Sequence, residues 1–121
     1  METENTYIWE KAKEALGKYE LQSLKITDGW KVLWNHFMAT DPQKLTEDDF
    51  AWINFSEDMA TFTCEEYDID LGWYGGLNKN GYYGVSISRN KTEVETFCSC
   101  DIHKITDVIN YFFMIPFQTK S

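Results

Sequence analysis

A chain of 121 residues suits one domain, spanning 1–121, and a chain this long buries about two thirds of its unfolded surface. Aromatic residues make up 17% of it, so a packed core is expected from few residues, while a net charge of −9 disfavours nucleic acid and anionic lipid as partners. No apolar stretch approaches the roughly 20 residues that a bilayer span needs, and three cysteines, an odd number, fit reduced thiols better than a disulfide framework.

The first residues, METENTYIWEKAK, are acidic and lack an apolar signal region, so a cytosolic site of action is expected. The spacing of Ile8, Trp9, Ala12, Leu16 and Tyr19 predicts a helix, capped by Asn5 or Thr6. Leu24-Lys25-Ile26 reads as extended, and Asp28-Gly29 can turn it into a hairpin with the next segment. In that segment Trp30, Val32 and Trp34 alternate as one face of a strand, although Trp30, Leu33, Trp34, Phe37 and Met38 also fit a helix. Asp41-Pro42 ends it.

Residues 51–55 and 59–74 read as two strands, with Ser56-Glu57-Asp58 turning between them. In the second, Tyr67, Ile69, Leu71 and Trp73 share one face, and Asp68, Asp70, Gly72 and Tyr74 share the other. A Gly- and Asn-rich loop follows, then a strand alternating Tyr83, Val85 and Ile87, a turn at Arg89-Asn90-Lys91, and a strand over 92–100. The last element is a helix capped by Asp101, with Ile102, Ile105, Val108, Ile109 and Phe112 as its buried stripe and Pro116 at its end. Short links between successive strands predict an α+β fold: an antiparallel sheet of about five or six strands, the 67–73 strand central, with N-terminal and C-terminal helices packed on one face.

The charge is not spread evenly. Residues 41–70 hold ten acids and one base, and the remaining residues hold ten of each, so the whole excess lies in one central block. Such a block attracts basic partners and speeds their encounter, and in its plainest form it is a solubilising face. Asp68 and Asp70, two apart on one strand face, have Cα atoms about 7 Å apart, within the spacing that inverting glycosidases use. The segment resembles the D-x-D stretch of chitinase-like barrels, but such a barrel needs about 250 residues, and Gly72 stands where the third carboxylate belongs. Glu66 could add a third oxygen donor on that face for a divalent metal, but no calcium-loop spacing is present. Cys98, Cys100 and His103 form a C-x-C-x-x-H cluster, but zinc ligands come as C-x₂₋₄-C with a distant second pair. Cys98 is therefore expected in the core and His103 on the polar side of the last helix. The glycines at 72, 75, 76 and 81 have the wrong spacing for a phosphate loop, and no metal or cofactor is expected. What remains is a set of carboxylates bordered by aromatics, the combination that protein–protein hot spots use. The candidate partner-binding residues are Asp48, Asp49, Glu57, Asp58, Glu66, Asp68, Asp70, Tyr74 and Tyr82.

Residues 26–89 resemble the small bacterial immunity proteins of contact-dependent growth inhibition and related polymorphic toxin systems. The resemblance lies in a G-W-x-V-x-x-N-x-F-x-x-x-D-P segment, here Gly29, Trp30, Val32, Asn35, Phe37, Asp41 and Pro42. A later I-D-x-G-W-Y segment is matched by Ile69, Asp70, Gly72, Trp73 and Tyr74, followed by a Tyr-rich strand. The resemblance implies a cytosolic, non-enzymatic antidote. It would bind the toxic C-terminal domain of a cognate effector, often a nuclease with a basic surface, and block or flank its active site. Two other functions fit the same acids: a small hydrolase or metal-dependent enzyme built on Asp68 and Asp70, and an acidic nucleic-acid mimic.

Overall fold

The computed structural model describes residues 20–118. The expected N-terminal helix lies outside them. The strictest alternation in the sequence makes the central strand. In β3 (Tyr67–Tyr74), Tyr67, Ile69, Leu71 and Trp73 are buried on the inner face, and Asp70 and Tyr74 are exposed on the outer one. Around it, β1 (Lys31–Asn35), β2 (Ala60–Cys64), β4 (Tyr82–Arg89) and β5 (Thr92–Ser99) form one antiparallel sheet in the order β1-β2-β3-β4-β5. Each strand therefore pairs with its neighbour in sequence, as short connections require. The helix α1 (Ile102–Gln118) follows and packs against the inner face. The fold is α+β, with a five-stranded sheet and a C-terminal helix.

The turns show how the meander closes. Asn90 and Lys91 both have positive φ, 51° and 67°, and join β4 to β5 as a two-residue loop. Positive φ at both central residues is the type I′ pattern, whose twist matches that of the flanking strands. The stretch 59–74, expected as one strand, is instead a hairpin: Cys64 pairs with Tyr67, and Glu65-Glu66 turn the chain, Glu65 at φ 54°. The inward residues Ala60, Phe62 and Cys64 are two apart, but the next inward residue, Tyr67, is three further on. That break in the period marks the turn.

Residues 51–55 are not a strand. Residues 51–54 fall in a 3-10 helix, Phe50–Asn54, with Phe55 as its C-cap and its first turn capped by the Asp49 carboxylate, which accepts from the Ala51 N–H at 2.9 Å. Trp52 and Phe55 are three apart, which puts them on one side of a helix with three residues per turn and on opposite sides of a strand. Both are buried against Trp73, with ring centroids 5.8 and 5.0 Å away. Burying two large rings together decides the conformation.

β1 exists, but its expected single face does not. A bulge shifts the register between Val32 and Trp34, so Val32 lies opposite Phe62 and Trp34 opposite Thr61, on different faces. Trp30, just before the strand, is the buried one, and its indole N–H donates to the Phe113 carbonyl at 2.9 Å. The chain does turn at Asp28-Gly29, where the Trp30 N–H donates to the Thr27 carbonyl at 3.4 Å, but residues 24–26 form no strand and the two arms meet further out, at a bridge between Leu21 and Met38.

In α1 the Asp101 carboxylate accepts from the His103 N–H at 2.8 Å, and Ile102, Ile105, Ile109, Phe112 and Phe113 are buried. Phe113 meets Phe62 edge to face at 5.1 Å. Pro116 does not end the helix, which continues to Gln118. A proline in the last turn removes one backbone hydrogen bond and no more of the ladder. One turn earlier, the Phe113 carbonyl accepts from Trp30 and also from the Thr27 hydroxyl at 3.2 Å. No helix among the described residues is long and apolar enough to cross a membrane.

Candidate functional site

With α1 on the inner face, chemistry falls to the outer face of the sheet. Its residues are read directly from the register. One rung across four strands is Thr61, Asp70, Ser86 and Thr96; the next toward the loop end is Gly72, Gly84 and Cys98; the last is Tyr74 beside Tyr82. In the other direction lie Thr63, Asp68, Ser88 and Glu93. Hydroxyls, carboxylates and two tyrosines thus share one surface.

Two glycines shape it. A Cβ on Gly84 would meet the Tyr74 ring at 2.9 Å, and one on Gly72 would meet the Tyr74 hydroxyl at 2.8 Å. Their absence lets Tyr74 lie down over the sheet and donate to the Glu57 carbonyl at 3.4 Å. The 56–58 loop is held there by the Trp73 N–H, which donates to the Ser56 carbonyl at 2.7 Å. Tyr82 stands beside Tyr74, ring centroids 6.1 Å apart and planes 33° apart. Beneath them opens a depression of about 260 Å³, lined by Asp70, Tyr74, Tyr82, Ser86, Glu93 and Thr96, with Cys98 at its side. Among the described residues no lysine or arginine lines it.

The site is electrostatically negative. The Tyr74 hydroxyl is pushed above its ordinary range first by burial, then by the carboxylates of Glu57, Asp70 and Asp58 and by Cys98. The Asp70 carboxylate is held in place by the Thr61 hydroxyl, which donates to its Oδ1 at 2.8 Å.

Of the expected partner-binding residues, the structure brings Glu57, Asp58, Asp70, Tyr74 and Tyr82 together at this end of the face. The others are used elsewhere. Asp68 pairs with Lys91 at 3.4 Å and Glu66 with Arg89 at 3.5 Å, beside the two hairpin turns. Asp48 accepts from the Thr46 hydroxyl at 3.0 Å, and Asp49 caps the 3-10 helix. Asp68 and Asp70 share a face, as expected, but each has its own partner. Glu93, Ser86 and Thr96 were not among the expected residues. A register shift between Ile87 and Ser88 puts both Glu93 and Thr96 on the outer face although they are three apart in sequence. No strict alternation along β5 would have paired them.

Cys98 is exposed on the outer face rather than packed in the core. Cys64 is the buried cysteine and packs in the core. Among the described residues no three His, Cys, Asp or Glu side chains stand together as a metal site. Comparison with protein-family models, with curated proteins and with solved structures finds no match to this chain.

Proposed function

We propose that the protein is an immunity protein: a cytoplasmic, non-enzymatic inhibitor that binds the toxic C-terminal domain of a cognate contact-dependent or polymorphic effector. The observation that carries this reading is the outer face of the sheet. Asp70 and Glu93 flank a depression roofed by Tyr74 and Tyr82, with Glu57 and Asp58 at its rim and, among the described residues, no base in its lining. The motif resemblance over residues 26–89 supports the same class. A nuclease domain holds phosphates in a basic cleft, and a rigid acidic face can occupy that cleft or its rim. Inhibition then needs no chemistry from the antidote, and no catalytic residue is assigned.

The reading expects a large secreted protein with a C-terminal toxin domain to be encoded beside this gene, and the test is to express that domain in bacterial cells. Co-expression of the protein should keep the cells alive, and the two should co-purify in equal amounts. Cells that die despite soluble antidote, with no complex formed, would sink the reading.

A further inference from the structure

We propose that the depression between β3, β4 and β5 seats a single arginine side chain of the protein partner. The guanidinium would lie between the carboxylates of Asp70 and Glu93, against the rings of Tyr74 and Tyr82. The seat presupposes the basic partner proposed above and names the group of that partner which enters the face.

Charge complementarity selects a cation. Asp70 and Glu93 form no ion pair among the described residues, although Glu66 and Asp68 on nearby positions do. The Thr61 hydroxyl occupies one oxygen of Asp70 and fixes the carboxylate's orientation. A second oxygen is left for a donor. Asp70 and Glu93 both line this depression from the two strands that flank β4, with Glu93 beside Ser88, one rung further from the tyrosines. The volume, about 260 Å³, is several times the ~30 Å³ share of one water and accommodates a side-chain tip.

Three features select arginine over lysine. Guanidinium is planar and stacks on aromatic faces, and the two tyrosine rings, 33° from parallel, offer such faces. It carries five donors, and the lining supplies acceptors beyond the carboxylates: the Ser86 hydroxyl, and the Thr96 hydroxyl, whose own proton is spent on the Val85 carbonyl at 3.2 Å. It is also less strongly hydrated than an ammonium, so a half-enclosed seat strips it of water at less cost. The walls stand on β3 and β4, paired over eight residues without a break, so little ordering is needed on binding.

The experiment uses the full chain, labelled with ¹⁵N, and a probe independent of any toxin: Nα-acetyl-arginine N-methylamide. The citrulline and lysine analogues are titrated beside it. Saturable amide shifts confined to residues around Gly72, Tyr74, Gly84, Ser86 and Thr96 are expected with the arginine probe. Citrulline should leave the spectrum unchanged, and the lysine analogue should bind several-fold more weakly. Asp70→Asn with Glu93→Gln should weaken the arginine probe on the order of tenfold, the size of one charge-assisted contact, with the rest of the spectrum unchanged. Shifts that map elsewhere, fail to saturate, or are matched by citrulline or lysine overturn the seat. Failure of the toxin domain to bind, with the probe result intact, overturns the immunity reading alone. A toxin domain that binds the double variant as tightly as the original overturns the seat alone.

Discussion

β3 turns one side to α1 and the other to solvent, and the same eight residues make both sides. On the inner side Tyr67, Ile69, Leu71 and Trp73 are each 5% exposed or less. Their neighbours are fixed, and their identity answers to packing. On the outer side Asp70 and Tyr74 are open, and among the described residues the depression they line holds no opposite charge. Alternate residues of one strand thus divide between packing and an open surface, and on the reading proposed above that division separates stability from recognition. Substitutions inside should unfold the protein without changing what it binds, and substitutions outside should do the reverse.

Ile69→Ala tests the inner side most severely. Ile69 is fully buried, so its truncation should cost about 2–5 kcal/mol in urea denaturation. Binding by the fraction still folded should be unchanged, and a loss of affinity at matched folded concentration would break the separation.

The two outer-face glycines sharpen it. A Cβ on Gly72 runs into the Glu57 backbone carbonyl, so Gly72→Ala should cost about 1–3 kcal/mol. A Cβ on Gly84 meets chiefly the Tyr74 ring, a movable side chain. Gly84→Ala should cost less than about 1 kcal/mol and act mainly by lifting Tyr74 from the depression. Equal melting losses for the two would contradict this division.

Tyr83 makes the inner side sensitive to alkali. It is fully buried, its hydroxyl has no hydrogen-bond partner among the described residues, and burial, then the charge of Asp41, holds it well above its ordinary range. The folded state keeps the proton while the unfolded chain releases it near pH 10. Stability should therefore be complete below that pH and fall above it by roughly 1.4 kcal/mol per pH unit. Tyr74, also shifted upward, acts in the same direction. Denaturant titrations between neutral and strongly alkaline pH should show the slope, and Tyr83→Phe should flatten it. At neutral pH that variant should be equal to or up to about 1 kcal/mol more stable, because it removes a buried unpaired hydroxyl.

The smallest effect on stability belongs to the rim. Glu57→Gln with Asp58→Asn should change stability by no more than about 0.5 kcal/mol. On the reading proposed above, it should slow association with the toxin domain and reduce its dependence on salt, with little change in dissociation. An association rate indifferent to both salt and this variant would make the outer charge a solubilising surface only.

What the chain order determined by itself was whatever depends on neighbours in sequence. The alternation of 67–74, the stripe of α1, the Asp101 cap and the turn at Arg89-Asn90-Lys91 follow from side-chain period and turn chemistry. These local preferences agree with the fold, so the α+β meander and the buried face of β3 were legible in advance. Pattern failed where a long-range contact outweighed it. Trp52 and Phe55 wind residues 50–54 into a 3-10 helix because both must reach Trp73, a residue of β3. A bulge divides Val32 from Trp34, and a register shift brings Glu93 onto the face of Asp70; neither has a signature in its own strand. The acids of 41–70 were legible as one block, but pairing with Arg89 and Lys91, both outside the block, removed Glu66 and Asp68 from it. Composition sets how much charge the chain carries. Only the sheet register decides which charges remain unneutralised beside which aromatic rings, because opposed residues on adjacent strands are remote in sequence and about 5 Å apart in space.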